Sequence, residues 1–426
     1  MGLPYLIFSD KNGKIYKHPH LRIAGGSLNL FKKIEAAELI RIPEGSSLFY
    51  LPYRAPVGFN PETSEFEPVF RFGEKEVFAL GVFLPPAYLR FYNPAGIKVK
   101  NQKLPLWAYT ACGMDKGNIF VSAKRIDRRV RQSPGFYNNK AIKAAVKLFL
   151  KKYPKNRLYK HLANCALNYN CLAAKNLFLK RWEAPLPTSQ SCNARCIGCL
   201  SYQDSDCVAS HKRISFLPEV KEISEVIYNH LSVAKEAIIS FGQGCEGEPL
   251  LCANNIGEAI SKVRGVTSRG TINMNTNASV PQKIKLLCKA GIDSFRISLN
   301  SPIEKFYNLY FRPDNYKFSD VLKSIEIAKK YNKFVSVNLF IFPGFSDSQG
   351  QIRALSKFIK TTRIDMIQLR NLNIDPDYYC ETIGDNDFLP KGIVFLIKTI
   401  QHQFPYLKFG YFNLAKEHFK TFKNMV

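Results

Sequence analysis

The chain has 426 residues, 46% of them hydrophobic and 22% charged, with 61 Lys and Arg against 34 Asp and Glu for a formal charge of +27. That composition supports buried cores and excludes a wholly disordered chain, and the length suggests two or three domains. Eleven cysteines, an odd number, are too few for a disulfide-dense scaffold of this size, so free thiols or metal ligation are expected.

The opening MGLPYLIFSDKNGKIYK reaches Asp10 and Lys11 before an apolar signal core could form, and no run of about 18 uncharged apolar residues follows. A cytoplasmic protein without a membrane partner is expected. Short β-type runs at 6–9, 47–51, 75–83, 106–111 and 118–122 alternate with Asn, Gly and Pro clusters, which reads as a β-rich accessory domain over residues 1–125. From Asn139 the period becomes helical, with Ile142, Val146, Phe149 and Tyr153 on one face and Lys140, Lys143, Lys147 and Lys151 on another. Further helices at 157–167 and 171–181 complete a basic connector over residues 126–181.

From Trp182 onward, short apolar runs alternate with helix-length segments, the pattern of a parallel sheet built from βα units. Strands are predicted at 182–186, 237–241, 271–275, 294–299, 334–342 and 366–371. Helices are predicted near 218–231, 254–264, 281–290, 318–331, 348–361 and 390–403. Six units are fewer than the eight of a closed barrel, so the fold class is α/β, a partial (βα)6 TIM-like barrel over residues 182–375 with a helical extension over 376–426. Active sites in such sheets lie at the carboxyl ends of the strands.

After the first of these strands comes Ser191-Cys192-Asn193-Ala194-Arg195-Cys196-Ile197-Gly198-Cys199, a CxxxCxxC spacing. Random placement of the cysteines would give about 0.007 such triples, so the cluster is not a composition accident. Three thiolates on a short loop can converge on one metal centre, and thiolates select zinc or iron-sulfur clusters over hard cations. A structural zinc wants four protein ligands, and the nearby Cys207 and His211 match no paired CxxC arrangement. A 4Fe-4S cluster held by three cysteines instead leaves one iron open to an exogenous ligand.

A loop with CxxxCxxC after the first strand of a six-unit partial barrel resembles the radical S-adenosylmethionine (radical SAM) superfamily over about residues 180–375. The resemblance implies that Cys192, Cys196 and Cys199 ligate a 4Fe-4S cluster, that S-adenosylmethionine chelates the open iron, and that its reductive cleavage gives a 5′-deoxyadenosyl radical that abstracts a substrate hydrogen. An external electron donor such as flavodoxin or ferredoxin is implied as well. Family members often carry an aromatic residue before the third cysteine, where this chain has Gly198. Gly247-Glu248-Pro249, after the second strand, is similar to the family's GEP motif, which holds the methionyl amino group. Asn275, with Thr276 and Asn277, ends the third strand; Ser298 and Asn300 end the fourth; both places resemble those that present polar groups to the cofactor, and both also suit turns or caps. Gly344, in Ile341-Phe342-Pro343-Gly344, resembles the adenine-contacting segment, with backbone exposed at glycine. Gln368 and Arg370 alternate with Ile367 and Leu369, which points them into the barrel. Glu246 and Arg312 are further candidates.

Cys165, Cys171, Cys207, Cys245 and Cys252 are read as small apolar residues rather than a second cluster. Between Lys116 and Arg181 there are 17 Lys and Arg against one acid, Asp127, which makes RNA a candidate partner. The substrate class stays open among RNA, peptide and metabolite. The competing function is a non-catalytic basic RNA-binding protein with a structural metal at the cysteine loop.

Overall fold

A computed structural model describes residues 2–203, 209–384 and 388–421. Cys207 lies outside them. Among the described residues the N-terminal region forms a 12-stranded antiparallel sheet whose main path runs through Tyr88–Arg90, Asn118–Arg125, Cys112–Asp115, Tyr5–Ser9, Ile15–Arg22, Arg54–Phe59 and Gly96–Lys98. Ile15–Arg22 escapes sequence reading because IYKHPHLR is largely polar, buries one residue of eight and carries Pro19. The run at 106–111 forms strand only at Tyr109–Thr110, since the Trp107 amide turns back onto the Pro105 carbonyl at 2.8 Å.

Three helices follow, α1 (Asn139–Lys152), α2 (Arg157–Leu167) and α3 (Leu172–Phe178). Asn138 and Asn156 cap the first two by accepting from Ala141 N and Leu158 N. α1 buries Ile142 and Val146, on the face the period predicts. These helices share one continuous buried core with the barrel, which also takes in Leu89, Phe91, Leu106 and Ile126 from the β-rich region.

The barrel sheet is parallel and ordered as the chain runs: Glu183–Pro185, Ile238–Phe241, Thr271–Thr276, Ser294–Leu299, Phe334–Ile341, Met366–Asn371 and Lys408–Gly410. The helices α4 (Val220–Val233), α5 (Ala253–Arg264), α6 (Pro281–Ala290), α7 (Glu304–Phe311), α8 (Phe318–Lys330), α9 (Gln349–Thr362), α10 (Pro376–Ile383) and α11 (Ile393–Gln403) lie between and after them. Sequential parallel neighbours joined by helical crossovers give a curled half-barrel. The first six strands are those predicted. The seventh corrects the reading of 376–426 as purely helical: Lys-Phe-Gly is too short to carry a period, and it forms because it completes the ladder beside Met366 and Ile367.

The β-rich region rests on the carboxyl ends of the fifth and sixth barrel strands. Leu28 N donates to Pro343 O at 3.1 Å. Asn371 at the end of the sixth strand accepts from Arg90 N and donates to Tyr88 O, both at 3.0 Å. The buried Arg90 guanidinium donates to Tyr109 O and Leu372 O. Arg54, 4% exposed at its side chain, pairs with Asp375 at 3.1 Å and Asp377 at 2.5 Å.

Candidate active site at the cysteine loop

The cysteine loop is held in place from three sides. Glu246, buried, accepts five hydrogen bonds: Oε2 takes Thr188 N, Thr188 Oγ1 and Ser189 N, and Oε1 takes Gly242 N and Gln243 N. One carboxylate thereby ties the segment after the first strand to the turn after the second, and burial pushes its pKa up to about 7 despite those donors. Beside it, Gly247 N donates to Ser189 O at 2.7 Å and Glu248 N to Ser191 O at 2.9 Å. A Cβ on Gly247 would stand 1.9 Å from Ser191 O, so only glycine lets the two loops approach. On the far side, Arg195 N and Ile197 N donate to Phe311 O and Tyr310 O at the end of α7. Asn277 Nδ2 donates to Asn193 Oδ1, whose own amide donates to Ser279 Oγ.

Cys192, Cys196 and Cys199 are free and partly buried, and Cys196 lies within reach of the charge on both others. Burial pushes Cys192 up to about 12, with the Glu248 charge next in effect, and pushes Cys196 well above the usual thiol range. Among the described residues, the His/Cys/Asp/Glu trio whose ligand atoms fall within 4.8 Å of one another is elsewhere, at His161, Cys165 and Cys245. Thiolates select zinc or iron-sulfur clusters over hard cations, which suits these three. Three free thiols on one short loop are a donor set that fits a 4Fe-4S cluster with one open iron.

Sequence reading missed two contributors. Arg213 places Nη2 3.8 Å from Cys199 Sγ while its Nε donates to Ser201 Oγ at 3.1 Å. Tyr310 sets its hydroxyl 2.7 Å from where a Cβ on Gly198 would be, so the place where an aromatic was expected is closed by a ring from α7. Arg213 carries no motif, and α7 is an eight-residue segment whose apolar pattern is too short to read.

The other predicted site residues separate. Glu248 accepts from Leu250 N, Thr276 Oγ1 and Asn277 N, which leaves open one of about four acceptor positions on the carboxylate. Burial pushes its pKa up to about 7. Pro249 opens the short 3₁₀ turn Pro249–Cys252 and is buried. Asn275 is spent inside the sheet, donating to Gly242 O and accepting from Asn273 Nδ2. Asn300 is buried and donates to Phe306 O, closing the turn into α7. Ser298 is half-buried on the same face of the fourth strand as Arg296. Gly344 corrects the expectation of exposed backbone: it is buried, and a Cβ there would stand 2.7 Å from Leu28 N and Ser27 Oγ, because the N-terminal hairpin formed by Ala24–Ser27 and Leu30–Lys33 covers it.

Inside the barrel, Arg296 Nη1 donates to Gln368 Oε1, Gln368 Nε2 to Asn413 Oδ1, and Asn413 Nδ2 to Glu183 Oε1. Arg370 donates to Tyr411 O. Gln368 and Arg370 thus face inward, as their alternation predicts. A separate cavity of about 200 Å³ beside Cys196 is lined by Lys103, Arg195, Arg312 and Tyr202 among others, and the three cations there are exposed. In the basic segment, Arg129 is spent on Asp127, Arg131 on Glu236 and Arg157 on Glu222, which takes these arginines out of the charge offered to RNA. Among the described residues no helix is long and apolar enough to cross a membrane.

Residues 186–355 match the family model of the Radical SAM superfamily. No curated protein matches the chain. Among solved structures, the chain is similar to native anSMEcpe with bound AdoMet, at 19% identity over 45% of this chain and 52% of that one, TM-score 0.36. It is similar to SuiB of Streptococcus suis at 14% identity over 74% and 72%, TM-score 0.38. Methylornithine synthase (PylB) aligns at 13% identity over 64% and 77%, TM-score 0.38. The chain spans about half the length of anSMEcpe. Likeness at this level carries no argument about substrate.

Proposed function

Residues 186–355 make this chain a member of the radical SAM superfamily, and on that premise we propose that Cys192, Cys196 and Cys199 ligate three irons of its 4Fe-4S cluster. Membership makes the protein an enzyme whose cofactors are that cluster and S-adenosylmethionine. When bound, they supply reductive cleavage of the sulfonium to a 5′-deoxyadenosyl radical that abstracts hydrogen from the substrate. The chain's own part is positional. Glu246 fixes the start of the cysteine loop, Gly247 lets the two loops meet, and Tyr310 closes the gap at Gly198. Glu248 keeps one acceptor position free for an ammonium group. Gly344 is covered on the side of Ser27 and Leu28; Asn275 and Asn300 act as supports for the strand ends, and Ser298 is the polar group offered to the barrel interior.

The single observation that carries this reading is the three-sided clamp on a loop bearing three free thiols. An RNA, a peptide and a metabolite are all compatible as substrate. Electrons arrive from an external one-electron donor, and the Lys103, Arg195 and Arg312 rim beside Cys196 suits an acidic donor protein such as flavodoxin or ferredoxin. The test is anaerobic reconstitution: about four iron and four sulfide per chain, with 5′-deoxyadenosine formed after dithionite reduction, are expected. Each Cys→Ala variant at 192, 196 and 199 should lose both. A cluster that survives any one of the three overturns the ligand assignment.

A further inference from the structure

A second group of sulfur and imidazole donors lies outside the cysteine loop. His161 and Cys165 stand four residues apart on α2, so they share a face one turn apart, with His161 Nε2 3.6 Å from Cys165 Sγ. Cys245, from the turn after the second barrel strand, joins them: the three ligand atoms all lie within 4.8 Å of one another. Cys165 is 1% exposed and Cys245 6%. His211 approaches from the segment after the cysteine loop, near enough for Cys165 to feel its charge, with its ring 5.3 Å from Tyr169. Its Nδ1 is buried and has no hydrogen-bond partner.

Buried polar nitrogen is seldom left unpaired, and His211 Nδ1, buried without a partner in a ring whose charge reaches Cys165, is the atom left to complete the set. Tetrahedral zinc holds its donors about 3.3–3.8 Å apart, a spacing the His161–Cys165 pair meets as it stands. Two sulfurs and two imidazoles are a donor set for zinc rather than for a hard cation. The ligands come from three separate stretches of chain, which a metal would join where Glu246, the neighbour of Cys245, is already tying loops together.

We propose that Cys165, Cys245 and His161 hold a zinc ion, with His211 Nδ1 as the fourth ligand, and that this ion staples the helical connector to the back of the cysteine loop. His211 N donates to Leu200 O at 3.0 Å, next to Cys199, so the staple bears on the loop directly. Neither Cys171, whose thiol lies within reach of the charge on Cys165 and Cys245, nor the loop cysteines are needed.

The experiment is metal analysis of the full chain purified anaerobically, alongside a variant in which Cys192, Cys196 and Cys199 are all Ala. About one zinc per chain is expected in both, with iron only in the first. Cys165→Ser and Cys245→Ser should lower zinc at least tenfold while iron stays bound. Cobalt substituted for zinc provides a second readout that does not depend on a variant folding: it should show the visible bands of a tetrahedral site and a thiolate charge-transfer band. Zinc absent from the wild-type protein, a Cys165–Cys245 disulfide under anaerobic isolation, or extra iron lost with Cys165→Ser each overturns the proposal. Zinc retained in His211→Gln and lost in Cys171→Ser overturns the fourth ligand.

Discussion

The Tyr310 hydroxyl stands 2.7 Å from the place a Cβ on Gly198 would occupy, and Asn373 O stands 3.2 Å from it. Tyr310 cannot swing aside: it is buried and packs against Phe311, Phe340 and Tyr379 with ring centroids 4.9, 5.7 and 6.4 Å away. Gly198→Ala is therefore expected to push the cysteine loop outward and lower iron retention several-fold. Gly198→Ala with Tyr310→Phe should recover part of it. Iron content and the charge-transfer absorbance of the reconstituted protein read both. Full iron in the single variant would show that the loop tolerates the shift.

Removing Arg54 leaves Asp375 buried without its cation, so Arg54→Ala should cost about 3–5 kcal/mol and loosen the β-rich region from the barrel. Chemical denaturation gives the magnitude, and limited proteolysis should show new cleavage near residues 100–105. Substitution of exposed Lys75, whose contact with Asp10 at 3.8 Å is peripheral, should change neither.

His230 is buried on α4, bonded through Nε2 to Trp182 O, and burial pushes its pKa down to about 4. Its folded pKa lies below the unfolded value near 6.5, so the unfolded state binds the proton first on acidification. Stability from keeping this ring neutral is present above about pH 6.5 and is lost as pH falls toward 4, by about 3 kcal/mol at most. Denaturation of the metal-free protein between pH 7 and pH 5 should show the loss, and His230→Gln should show a smaller slope. Equal slopes would remove His230 as the source.

Charge reversal at the rim beside Cys196, as Lys103→Glu with Arg195→Glu, should slow reduction by an acidic protein donor about tenfold or more at low salt. Reduction by dithionite should stay within about twofold, because a small diffusing reductant does not need the rim. The difference should shrink as ionic strength rises. Equal slowing with both reductants would place the effect on the cluster rather than on docking.

The strand and helix rhythm from Trp182 is legible because the first six barrel strands fall in short apolar runs and the longer helices between them carry a helical period, whereas Lys408–Gly410 and α7 are too short for either. The cysteine spacing and Gly247-Glu248-Pro249 were legible as local patterns. What was not legible comes from distance in sequence. Glu246 meets Thr188 across 58 residues, Tyr310 meets Gly198 from α7, and Arg213 reaches Cys199 from a segment with no pattern. Gly344 misled because its motif matched while the residues that cover it, Ser27 and Leu28, lie more than 300 positions earlier. Cys165 and Cys245 read as ordinary core fillers for the same reason: sequence shows neither their convergence nor His211.

The hairpin lying over Pro343 and Gly344, with Arg90 and Arg54 anchored beyond the sixth strand, gives the rim of the half-barrel a roof made from the first hundred residues. The amino-terminal part of the chain thus closes the half-barrel at the ends of its fifth and sixth strands, and cutting it away should open that rim to solvent.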